Sequence, residues 1–77
     1  MREYLRKLRA EQKASQAEVS QRMGISKNYY STIERGNRQQ KMDLTLAGKL
    51  AAAFNVPMQT ITDAEAAYIA TEQRNTA

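Results

Sequence analysis

The sequence predicts an all-α domain, a compact five-helix bundle with an extra helix at its C-terminus. Three observations carry this. Apolar residues recur three or four positions apart, as one buried helix face requires, and no stretch alternates like a half-buried strand. Ser15, Ser26 and Asp43 each precede such a stretch, where a side-chain oxygen can accept an orphan first-turn amide. Gly24 and Gly36 follow the second and third stretches, where the chain needs a left-handed residue.

Each element has its own justification. Residues 2–13 pair Leu5 with Leu8, with Tyr4 beside them, on one face of a charged helix. Ser15-Gln16-Ala17-Glu18 is a capping box that opens a second helix over 16–23, with Ala17, Val19, Ser20 and Met23 inward. Ile25 follows as an apolar plug, and Ser26 opens a third helix over 27–35. Asn37 to Met42 reads as a polar, basic loop. Asp43 caps a fourth helix over 44–54, whose apolar positions are Leu44, Ala47, Leu50, Ala51 and Phe54; Asn55 stops it. Pro57 suits the first turn of a short fifth helix holding Met58 and Ile61. Thr62-Asp63-Ala64-Glu65 reads as another cap, opening an Ala-rich helix over 63–73 with Tyr68 and Ile69. One domain over 1–62 is expected, with 63–77 as a C-terminal helix and frayed tail and candidate dimerisation element.

Composition bounds the chemistry. Leu, Ile, Val and Phe number 12 among 77 residues, so the core must be thin and lean on Ala, Met and Tyr. A thin core is a reason to expect a partner chain. Without Cys there is no disulfide or thiolate metal site; without His there is no imidazole base and no ordinary zinc site. No cofactor, metal or small-molecule ligand is expected. No run approaches a membrane span, and Arg2 to Lys7 lacks a signal peptide's apolar centre, so a soluble cytoplasmic protein is expected. Residues 1–41 hold ten Lys and Arg against four Glu, whereas 42–77 hold two against four acids. The surplus therefore belongs to the first half. There it is either a solvated face or the footprint of a polyanion.

The two helices joined at Gly24 decide between these. A short helix, a tight turn with Gly and a second helix crossing steeply form a helix-turn-helix, over 16–35. The crossing needs a small residue, here Ser20, and apolar plugs, here Val19, Met23, Ile25, Tyr30 and Ile33. Ser20 should bond a carbonyl one turn back.

The run from Ser15 through Ser26, with Ile33-Glu34-Arg35-Gly36, resembles the lambda-repressor-like (phage Cro and repressor, XRE) helix-turn-helix family over roughly residues 3–61. The resemblance implies a five-helix bundle that binds operator DNA, usually as a dimer. It also implies an ion pair between Arg9 of the first helix and Glu34 late in the third. Ala14 stands where the family commonly has a larger aliphatic residue, and Ser20 replaces the commoner Ala. The loop after Gly36 is about two residues longer than usual, which changes the geometry of any phosphate contact it makes. Gly48 falls inside the fourth helix, where it costs about 1 kcal/mol relative to Ala and would admit close approach by another helix.

The third helix, 27–35, is then the recognition helix. At about 100° per residue, Lys27, Ser31, Arg35, Asn28 and Thr32 fall within an arc of about 140°, and Tyr29, Tyr30, Ile33 and Glu34 fall on the other side. The polar face can enter a major groove. Lys27 can donate to guanine, Asn28 can pair with adenine, and Ser31 and Thr32 offer hydroxyls, Thr32 also a methyl for thymine. Gln16, at a helix N-terminus, is a phosphate contact, as are Tyr29, Arg35, Asn37, Arg38 and Lys41. Arg2, Arg6 and Lys7 read as solubilising charge. Tyr30 packs inward with its hydroxyl at the edge.

The expected function is a sequence-specific double-stranded DNA-binding regulator. It is read as a repressor that binds a two-half-site operator as a homodimer. The alternative is a protein-interaction or antitoxin-like module on the same fold, using Ala47, Gly48, Ala51, Ala66, Ala67, Tyr68 and Ile69 as an apolar seam. An enzyme is the weakest reading, because Asp, Glu, Lys and Tyr show no convergent spacing.

Overall fold

The computed structural model describes residues 1–36 and 42–75, with side chains as far as Thr71. They form five helices and no strand: α1 (Glu3–Gln12), α2 (Gln16–Met23), α3 (Lys27–Arg35), α4 (Leu44–Phe54) and α5 (Met58–Asn75). Among the described residues, no helix is long and apolar enough to cross a membrane.

Local chemistry accounts for most helix ends. The Ser15 hydroxyl accepts from the Glu18 amide at 3.1 Å and the Glu18 carboxylate accepts from the Ser15 amide at 3.1 Å, a complete capping box. Those bonds hold the Glu18 carboxyl below its usual range. Ser26 caps α3 through the Tyr29 amide at 3.0 Å, and Asp43 caps α4 through the Leu46 amide at 2.7 Å. Helices α2 and α3 end on Gly24 and Gly36, both with φ above +70°. Lys13 and Asn55 make the same left-handed stop after α1 and α4, and Asn tolerates it better than Lys.

The fifth helix departs from the expected boundary. It runs unbroken through Thr62 and Asp63, so the anticipated cap there does not form. The Thr62 hydroxyl donates back to the Gln59 carbonyl at 3.2 Å, inside its own helix. Ile61 and Glu65, one turn apart, are both buried. Continuous burial of one face, i to i+4, carries the helix past the polar pair. The extra C-terminal segment is a prolongation of α5.

The core is small and drawn from every helix. Leu5, Val19, Tyr30, Ile33, Leu50, Phe54 and Ile61 are fully enclosed, with Ala47, Ala51 and Ala53 filling the closer spaces. Helix α2 packs on α3 and α4, α4 packs on α5, and α1 reaches α3. Ser20 is buried at the α2 crossing, and its hydroxyl donates to the Ala17 carbonyl at 2.8 Å. Two side chains tie α4 to the first half of the chain: Gln12 donates to the Phe54 carbonyl at 2.7 Å and Arg22 to the Ala53 carbonyl at 3.2 Å. Both satisfy last-turn acceptors that the helix cannot fill itself.

Three expectations are corrected. Ala17 is exposed, because it lies about 200° round the helix from Val19. Leu44 is 75 % exposed and lies on an open groove between α4 and α5, with Leu46 taking the buried position instead. Gly48 admits no close helix: no described atom beyond its chain neighbours and its own helix backbone lies within 4 Å of the place its Cβ would take.

Candidate nucleic-acid interface

Helix α3 carries a split surface. Tyr30, Ile33 and Glu34 are buried, while Lys27, Asn28, Tyr29 and Arg35 are exposed and Ser31 and Thr32 are half-buried. The buried set faces the core and leaves two cations, an amide and two hydroxyls toward solvent. The Thr32 hydroxyl donates to the Asn28 carbonyl at 2.9 Å, which leaves its lone pairs and methyl for outside contacts. Tyr29 is 40 % exposed beside Asn28, at the border of the polar face.

Glu34 anchors this helix from beneath. Arg9 Nε and Nη2 donate to its two carboxylate oxygens, each at 2.8 Å, in a bidentate fork. Arg9 Nη1 also donates to the Ala14 carbonyl at 3.3 Å. Burial alone would push the Glu34 carboxyl up; Arg9, the neighbouring Tyr30 hydroxyl and Gln16 outweigh it and hold it below its usual range. The Tyr30 ring is fully enclosed, and its hydroxyl finds no hydrogen-bond partner among the described residues. The sequence places that hydroxyl at the edge, and the structure encloses it. Burial pushes the phenol well above its ordinary range.

Gln16 joins the same cluster. Its side-chain amide donates to Glu34 Oε1 at 3.2 Å, from the first position of α2. An amide nitrogen has two protons, so one is committed to Glu34 and one is left. That leaves a donor at the positive end of a helix, the arrangement that receives phosphate oxygens. Asn37, Arg38 and Lys41 lie outside the described residues.

Arg2 corrects the sequence reading. By sequence it reads as solubilising charge, yet it is buried, and its guanidinium meets Glu65 of α5 and the Ile33 carbonyl of α3. Glu65, by sequence part of a cap, is buried too. No local signal marks either residue. Arg6, by contrast, is exposed and pairs with its helix neighbour Glu3 at 3.2 Å.

The architecture is that of two packed helices, α2 and α3, joined across a tight glycine turn. No curated protein and no solved structure matches the chain significantly. A helix-turn-helix family model matches residues 5–61, which span α1 through the first turn of α5. The chain belongs to that DNA-binding helix-turn-helix family, of the lambda-repressor-like type.

Proposed function

We propose that the protein is a sequence-specific regulator of transcription that reads double-stranded DNA through α3 and represses as a homodimer. The observation that carries this reading is the split surface of α3. Its buried side is locked by Tyr30, Ile33 and the Arg9–Glu34 fork, and its open side presents Lys27, Asn28 and Arg35. Lys27, Asn28, Ser31 and Thr32 read base edges; Gln16, Tyr29, Arg35, Asn37, Arg38 and Lys41 hold phosphates. No cofactor or ligand is required, and the protein works in the cytoplasm on the nucleoid.

Dimerisation draws support from the groove between α4 and α5. It has a volume of about 470 Å³ and is lined by Met42, Leu44, Ala47, Ala66 and Ile69, of which Leu44 is 75 % and Ile69 44 % exposed. Two paired modules multiply a weak single-site affinity.

Selection of bound duplexes from a random pool tests the reading. A regulator enriches one motif in two half-sites about 10 base pairs apart, with affinity that falls steeply as salt rises. Enrichment of no motif overturns specificity, and a scattering mass of one chain at micromolar concentration overturns the stable dimer.

A further inference from the structure

We propose that Arg2 and Glu65 are positioning residues for the recognition helix, forming a buried clasp from α5 to the last turn of α3. The inference rests on the DNA-reading role of α3 and names residues outside the interface on which it depends.

The last carbonyls of a helix have no partner within it. Arg2 donates to two of the last carbonyls of α3, of which Ile33 also accepts from the capping Gly36 amide at 3.1 Å. The Arg2 backbone amide donates to the Glu34 carbonyl at 2.8 Å, and its Nη1 donates to the Ile33 carbonyl at 2.6 Å. A guanidinium there also complements the negative end of the helix dipole. The rest of the fork is held by α5: Nε donates to Glu65 Oε1 at 2.8 Å and Nη2 to Oε2 at 3.0 Å. The two side chains are only 4 % and 8 % exposed. The Tyr4 hydroxyl donates to Glu65 Oε1 at 2.7 Å, and the Arg2 guanidinium carbon lies 5.1 Å from the Tyr68 ring centroid.

This arrangement is directional in a way that apolar packing is not. A buried ion pair adds little net stability over well-packed apolar residues. A planar fork with bidentate geometry admits one orientation, and here it fixes where α3 ends relative to α1 and α5. Both anchors of α3, Arg9 on the Glu34 carboxylate and Arg2 on the carbonyls, act at its C-terminal end. Lys27 and Asn28 stand at the other end. Over about 12 Å of helix, a tilt of about 5° moves the far end by about 1 Å, enough to spoil a hydrogen bond to a base edge. Glu65 also lines the α4–α5 groove, so the groove and the recognition helix share one residue.

The test compares wild type, R2K and E65Q. R2K keeps the charge and loses the fork; E65Q keeps the shape and weakens the acceptor, and both are milder than truncation. The first readout is discrimination between a duplex that wild type enriches from a random pool and an unselected duplex of equal length, at fixed salt. Both variants should lose roughly threefold to thirtyfold in that ratio, with the salt slope on the unselected duplex unchanged. The second readout needs no DNA. Exchange of the Arg2 and Gly36 amides should quicken by a similar factor while α4 core amides such as Leu50 keep their protection. If wild type discriminates and both variants match it, the clasp proposal falls alone. Uniform quickening of every amide marks a merely structural pair and also overturns it. If wild type enriches nothing, the DNA-reading role falls and takes the clasp's role with it.

Discussion

The Arg9 guanidinium grips the Glu34 carboxylate through two hydrogen bonds of 2.8 Å, joining α1 to the last turn of α3 across 25 residues of sequence. Glu34 is 2 % exposed and Arg9 19 %, so the two ends of the pair are not equivalent. Arg9→Ala leaves a buried carboxylate without its cation. It should cost about 3 kcal/mol or more, read as a lower urea midpoint. Glu34→Gln leaves only a partly solvated Arg9 and should cost less. Equal losses in the two variants would contradict this asymmetry.

The same carboxylate sets the acid limit. Its pKa is lower folded than unfolded, so the folded state binds fewer protons there. That contribution is fully present above the unfolded carboxylate value of about 4.3 and is lost as pH falls through the lower folded value. The alkaline limit runs the other way. Burial raises Tyr4 and Tyr30, so their contribution is complete below the free phenol value of about 10 and fades as pH rises above it. Thermal midpoints should be flat between about pH 5 and 9 and fall on both sides. Glu34→Gln should blunt the acid fall and leave the Tyr4 share of the alkaline one, which burial and Glu65 set.

Removing the unpartnered hydroxyl of Tyr30 should be harmless. The group is buried without a well-formed hydrogen bond among the described residues, so the little it lends the Glu34 carboxylate is offset by the hydration it forfeits. Tyr30→Phe should leave stability unchanged or raise it by up to about 1 kcal/mol. A loss of 2 kcal/mol in a denaturant titration would mean that the hydroxyl has a partner after all.

The three glycines should respond differently to Ala. Gly48 has ordinary helical surroundings and open space at its Cβ position, so Gly48→Ala should stabilise by about 1 kcal/mol. Gly24 has φ +73° and open space, so Gly24→Ala should cost only the left-handed penalty of about 1–2 kcal/mol. Gly36 has φ +72° and the Tyr68 hydroxyl packed where a Cβ would go. Gly36→Ala should therefore cost more than Gly24→Ala, because Tyr68 must move as well. Melting temperatures of the three variants check the order.

On the recognition helix, base and phosphate roles separate by sequence dependence. Lys27→Ala and Asn28→Ala should each remove about 1–3 kcal/mol of discrimination at one position of the enriched motif. Arg35→Ala should weaken all duplexes about equally and lower the salt slope by about one. Titration of matched and mismatched duplexes at two salt concentrations distinguishes them. Wild-type discrimination in both Lys27→Ala and Asn28→Ala would remove α3 as the reader.

What sequence alone determined about this protein is local. Ser15, Ser26 and Asp43 cap their own helices through amides three residues on, and Gly24 and Gly36 stop theirs by backbone geometry. These relations depend on spacing of three or four residues, so a linear reading recovers them, and with them α2, α3 and α4. The polar face of α3 follows from the same periodicity. Tertiary structure decided the rest. Arg2 and Glu65 are 63 residues apart, and nothing near either distinguishes a buried clasp from solvated charge. Leu44 looks like a core residue until the missing cover between α4 and α5 exposes it. The Thr62–Asp63 pair looks like a cap until burial of Ile61 and Glu65 carries α5 through it. In each case the deciding term is which surfaces are removed from water, and that is fixed only once the helices have packed.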